Sequence, residues 1–218
     1  WVQLKNNGLV VFDESRQGVK TIKLTNSENA GNLASNRVHS FAEDLDGEIW
    51  IGTDNGVSVF YDPNAIFQGE NASQVVVTLG DHNSYLLEGQ QINDIEIDGA
   101  NRKWFATNNS GVVVTSENGT EEIHHFTSEN SPLFSNKVID IEMNDVTGEV
   151  FFATEKGLIS LRSESTQGNN DFSEVLVFPN PVKPDYSGPI TIKGLITDAV
   201  VKITDISGNL IYETVALG

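Results

Sequence analysis

Cysteine is absent from the 218 residues. That excludes a disulfide framework, thiolate zinc sites and a cysteine nucleophile, and it leaves the cellular compartment open. Methionine occurs once. No apolar run approaches the length of a membrane span, and no signal-peptide pattern is present. Positive charge is scarce: 13 Lys and Arg stand against 31 Asp and Glu, a formal net charge of −18. A field of that sign repels phosphate, which argues against free nucleic acid and bare anionic membrane as partners. Gly, Asn, Ser and Thr are abundant. They favour many short strands joined by turns. Hydrophobic residues make up 38%, enough for a core, and the 20% charged content is not that of a disordered chain.

One pattern repeats. Ile49-Trp50-Ile51-Gly52-Thr53-Asp54-Asn55-Gly56-Val57 returns as Lys103-Trp104-Phe105-Ala106-Thr107 with Gly111-Val112. It returns again as Val150-Phe151-Phe152-Ala153-Thr154 with Gly157-Leu158, and Trp1 to Leu9 is a further copy. Thr53, Thr107 and Thr154 are 54 and 47 positions apart. That period, with four short strands in each repeat, is the period of a β-propeller blade. The alternation predicts strands at 38–43, 48–53, 57–61 and 74–79, then 92–97, 102–107, 111–115 and 121–126, then 138–143, 148–153 and 157–161. Asp-Leu-Asp-Gly at 44–47 and Asn55-Gly56 mark hairpin turns, because their central residues need positive φ.

The expected architecture is therefore all-β: an incomplete ring of about four β-propeller blades, followed by a small β-sandwich C-terminal domain. The blade segment occupies 1–162, a polar linker 163–174 and the tail domain 175–218. The first repeat lacks its first strand and the last lacks its fourth. Since a propeller closes by lending a strand from one end of the chain to the other, the ring is expected to continue outside these residues.

Ser35-Asn36-Arg37-Val38, the Asp44–Gly47 turn, Trp50–Thr53 and Asn55-Gly56 resemble the two-component-regulator propeller repeat. Ala106, Ala153 and Phe151 depart from its pattern. Phe178-Pro179-Asn180-Pro181 and Val201 to Leu210 resemble the C-terminal domain of type IX secretion proteins. The two together are similar to the PorZ-like surface proteins of the type IX secretion machinery of Bacteroidetes. That resemblance implies two propellers followed by the tail domain, on the extracellular face of the outer membrane. It also implies a complex with a sortase and its outer-membrane anchor proteins, and binding of anionic lipopolysaccharide.

Candidate ligand residues lie in the loops that lead into the innermost strands. Asn36-Arg37-Val38 aligns with Gln90-Gln91-Ile92 and Asn136-Lys137-Val138, so Arg37, Gln91 and Lys137 take equivalent places around the axis. Arg and Lys there suit phosphate or carboxylate groups of a glycan; ordinary solvated loop charge is the competing reading. His39, Asn93, Asp94 and Asp140 begin the inner strands, where they line a polar channel or simply hydrate the axis. Asp44-x-Asp46-Gly47-Glu48 has the hard oxygens calcium prefers, but a hairpin turn explains it fully. His124 and His125 are adjacent on a strand and face opposite ways. Trp50, Trp104 and Phe151 share one repeat position and read as core between blades. No catalytic set, metal site or cofactor motif stands out.

The expected function is a non-enzymatic surface component of type IX secretion that binds anionic lipopolysaccharide or another glycan through Asn36, Arg37, His39, Gln91, Asn136 and Lys137. The alternatives are a periplasmic glycan-sensing propeller of a hybrid two-component regulator and an accessory module of a secreted enzyme.

Overall fold

The computed structural model describes residues 1–13, 20–79, 82–144, 147–162, 175–196 and 199–216. The expected linker at 163–174 lies outside them. The first blade contributes β1 (Val2–Gln3), β2 (Leu9–Asp13) and β3 (Lys20–Leu24) in one antiparallel sheet. The second contributes β4 (Val38–Glu43), β5 (Ile49–Thr53) and β6 (Gly56–Phe60), then a short 3₁₀ turn (Pro63–Gln68), β7 (Val76–Leu79) and β8 (His82–Tyr85). The third is a complete four-stranded blade: β9 (Ile92–Ile97), β10 (Lys103–Thr107), β11 (Val112–Thr115) and β12 (Glu122–Phe126). The fourth has β13 (Val138–Asn144), β14 (Glu149–Thr154) and β15 (Gly157–Arg162). The tail forms two separate antiparallel pairs, β16 (Leu176–Phe178) with β17 (Thr191–Lys193) and β18 (Val200–Thr204) with β19 (Leu210–Val215).

The second blade departs from the expected meander. Residues 74–79 do not lie along β6 as its fourth strand; β7 pairs with β8 instead. Ser73 bridges to β6 through two 2.8 Å hydrogen bonds with Val59. Pro63 and the Asp62 carboxylate, which accepts the Asn64 N–H at 3.0 Å, turn the chain into a 3₁₀ segment after β6. The hairpin is closed by Leu86 N–H donating to Val75 O at 2.8 Å.

Packing between blades follows the two-residue period of the strands. Trp50 and Trp104 are buried on the face turned to the following blade, where they meet Phe105 at 6.3 Å and Phe152 at 6.2 Å between ring centroids. Val57 and Val59 share the Trp50 face; Ile51 and Phe60 point the other way, onto Leu9 and Val11 of the first blade. Phe151 keeps the repeat position but is only half-buried. Its strand neighbour Phe152 is the residue that reaches Trp104, because adjacent strand residues take opposite faces.

In the second and third blades the Asp of the turn between the first two strands holds the second strand in place. Asp44 Oδ1 accepts the N–H groups of Asp46 and Glu48 at 3.0 and 2.9 Å, and Oδ2 accepts the Trp50 indole at 3.0 Å. Asp98 does the same for Ala100, Arg102 and Trp104, all at 3.0 Å. These carboxylate oxygens accept the hydrogen bonds that shape each turn.

Candidate functional site

The mouth of the blades is built from three lead-in loops, each tied to the blade before it. Gly8, Gly56 and Gly111, the glycines of the β1–β2, β5–β6 and β10–β11 turns, donate their N–H groups at 2.8 Å to Asn36 O, Gln90 O and Asn136 O respectively. Gly8 and Gly111 have positive φ, and a side chain on either would collide with a backbone carbonyl, Leu24 O or Phe126 O. The turn glycine thus serves both its own hairpin and the next loop.

Asn36 and Asn136 brace those loops. Asn36 Oδ1 accepts Asn26 N–H at 2.9 Å; Asn136 Oδ1 accepts Ser128 N–H at 2.7 Å, and its Nδ2 donates to Glu129 at 3.0 Å. Ser35 and Ser135 hydroxyls accept the N–H of Arg37 and Lys137 at 3.1 and 3.2 Å. The Ser-Asn pair sets the loop geometry and leaves the following cation to point outward.

Both cations already have anionic neighbours. Arg37 Nε lies 3.5 Å from Asp54 Oδ2, and Lys137 Nζ lies 3.9 Å from Glu155 Oε2. Asp54 and Glu155 occupy equivalent places just after the repeated Thr53 and Thr154, a relation legible in the repeat itself. Lys137 and Glu155 are both exposed, and Arg37 is exposed against a half-buried Asp54, so each pair is weakly held and open to exchange with an outside anion. Gln91 Nε2 is turned inward instead, donating to Asn93 Oδ1 at 2.8 Å.

Below the mouth, each inner strand carries a β-bulge at the same repeat position. The register skips His39 between β4 and β5, Asn93 between β9 and β10, and Ile139 between β13 and β14. A bulge bends the strand and re-aims its side chains. Asn93 Nδ2 consequently reaches Val138 O on the next inner strand at 2.6 Å, and Asp94 Oδ2 accepts Ile141 N–H at 3.0 Å. Burial raises the Asp94 carboxyl above the ordinary carboxylate range; the N–H groups of Ile141 and Ile95 oppose the shift and Asp140 adds to it. His39 is shifted down by burial, against the pull of Asp54 and with the push of Arg37.

His124 and His125 are separated as expected. His125 Nε2 is 2.7 Å from Ser110 O, while His124 packs beside Phe126.

The two-component regulator propeller family matches residues 32–55, the lead-in loop and first hairpin of the second blade. Among solved structures, PorZ of Porphyromonas gingivalis, described as an essential bacterial surface component of the type IX secretion system, superposes with a TM-score of 0.69 at 28% identity over 98% of this chain. In fold, the chain resembles PorZ. It spans 30% of the length of the PorZ chain. The extracellular domain of BT3049 from B. thetaiotaomicron, assigned to a hybrid two-component system, matches over 75% of this chain and 23% of its own, with a TM-score of 0.51 and 22% identity. That of BT4673 from the same organism covers 90% of this chain and 30% of its own, at 0.54 and 16%. At those identities the two regulators share the fold alone with this chain. No curated protein sequence matches it.

Proposed function

We propose that this chain is part of a non-enzymatic surface component of a type IX secretion system, exported to the outer face of the outer membrane. The supporting observation is the PorZ superposition over 98% of the chain, blades and tail pairs together. In this reading the mouth recognises an anionic glycan such as lipopolysaccharide, and the protein assembles with the sortase and its outer-membrane anchor.

The geometry refines how such a ligand is held. Arg37 and Lys137 are presented at equivalent loop positions, but Asp54 and Glu155 compete for them. A ligand phosphate replaces those carboxylates, forming charge-assisted bonds with Arg37 and Lys137. Asn36 and Asn136 act by holding the loops, Gln91 by holding Asn93, and His39 lies one level deeper.

The test is retention of anionic lipopolysaccharide by the purified full-length protein. Arg37→Glu with Lys137→Glu is expected to reduce retention, and Asp54→Asn with Glu155→Gln to increase it. Unchanged retention in both variants removes the mouth as the site; no retention by the unmodified protein removes the glycan.

The regulator reading rests on the family match at 32–55 and the BT3049 fold. It predicts oligosaccharide binding that is indifferent to phosphate on the glycan, which the same assay with dephosphorylated lipopolysaccharide distinguishes.

A further inference from the structure

The seams between successive blades are not equivalent. Gln3 of the first blade donates to Val38 O at the start of β4. Asn93 donates to Val138 O at the start of β13, and Asp94 accepts from Ile141 on the same strand. Side chains thus tie β4 to the blade before it and β13 to β9. The repeat places His39 and Ser40 where Asn93 and Asp94 stand, so these two face the seam between β4 and β9. Among the described residues they make no such ties: His39 Nε2 and Ser40 Oγ are buried without a hydrogen-bond partner. Ile92 fills the seam instead. A side chain at Gly52 would come within 2.6 Å of Ser40 Oγ and 2.8 Å of Ile92 Cγ2.

A neutral imidazole tolerates this setting, at the cost of one unsatisfied nitrogen. An imidazolium fits it less well: the ring is half-buried and the enclosed nitrogen is Nε2, which would then have to donate with no acceptor beside it among the described residues. Arg37 stands two residues away. Asp54, across the β5–β6 turn, is already shared with Arg37 at 3.5 Å. β9 carries two carboxylates, Asp94 and Glu96, and Asp94 is turned to Ile141 on β13. From the first blade, β1 contributes the neutral Gln3, already engaged with Val38 O.

We propose that His39 makes the β4–β9 seam an acid-sensitive joint in the blade stack, closed while the ring is neutral and loosened when it takes a proton. The downward shift of His39 by burial has the sign this requires: the folded seam holds the neutral form, and its stability is lost as pH falls below the ordinary histidine value. The joint lies directly under the Arg37 loop, so its opening alters the mouth.

Hydrogen exchange of the β9 amides between pH 7.5 and 5.0, corrected for intrinsic exchange, tests the proposal in the intact chain. Protection at Ile92 to Ile95, relative to Val112 to Val114, is expected to fall by up to about tenfold per pH unit below about 6.5. His39→Asn, which installs the residue that ties β9 to β13, should flatten that dependence. An equal fall in His39→Asn, or an equal fall across β11, overturns the proposal. Titration of the His39 ring by NMR in the unmodified chain needs no variant, and a value at or above that of ordinary histidine overturns it as well.

Discussion

Lys103 Nζ stands 2.9 Å from Asp44 Oδ2 across the seam between the second and third blades, with both side chains fully buried. The same ammonium donates to Asn101 O at 2.8 Å and lies 4.9 Å from the centre of the Trp50 ring. Asp44 therefore serves two blades: it shapes its own turn, orients its own Trp50 and receives the lysine of the next blade.

Removing the lysine leaves the Asp44 carboxylate with neutral donors only. Lys103→Met is expected to cost about 3 kcal/mol, as for other buried charges that lose their partner. Urea unfolding measures it. Adding Asp44→Asn should recover most of the loss, whereas strict additivity of the two changes would show that they do not act as a pair.

Acid acts on the same pair. Burial alone would raise the Asp44 carboxyl, but hydrogen bonds from Lys103, Glu48 N–H and Trp50, with the lysine charge, hold it below its ordinary value. A depressed carboxyl contributes stability above its unfolded pKa of about 3.9, and that contribution is lost as pH falls through the folded value. Thermal unfolding of Asp44→Asn should consequently show a shallower loss between pH 5 and pH 3 than the unmodified chain.

Asp94 has the opposite sign. Its carboxyl is raised by burial, so its contribution is fully present below the unfolded pKa and lost as pH rises through the folded value. Asp94→Asn keeps an oxygen for Ile141 N–H and removes the buried charge. It is expected to melt higher than the unmodified chain at pH 7 and level with it near pH 3. A lower melting temperature at pH 7 would show that the charge itself is needed.

Glycine substitutions separate backbone strain from collision. Gly47 has φ +81° and open space around the position of a side chain; Gly47→Ala is expected to cost about 1 kcal/mol, the left-handed conformation alone. Gly111, at φ +75°, has Phe126 O in the way. Gly111→Ala should cost roughly 3 kcal/mol, because a backbone carbonyl has to move as well. Equal effects in urea unfolding would mean that the loop yields freely.

Much of the blade was legible because its signals are local. The Asp44 turn, the Asn55-Gly56 turn and the alternation in 92–97 each follow from residues within a few positions of one another. Residues 74–79 misled because their apolar run suits any strand; which partner they take depends on Pro63 and the 3₁₀ turn that intervenes. Arg37 and Lys137 were correctly placed in equivalent loops, yet their pairing with Asp54 and Glu155 turns on side-chain direction across a hairpin. The bulges at His39, Asn93 and Ile139 have no residue signature, since three unlike side chains share one backbone irregularity.

The amino-acid sequence by itself determined the blade period, the turn chemistry and the faces of the strands, because a repeat writes the same short-range requirements several times. Tertiary structure alone decided which blade a side chain serves. Asp94 ties β9 to β13 while the hydroxyl of Ser40, at the same repeat position, bonds to none of the described residues, and Lys103 belongs by position to one blade and by charge to another. Those outcomes depend on the distance between sheets that are far apart in the chain, and no local pattern encodes that distance.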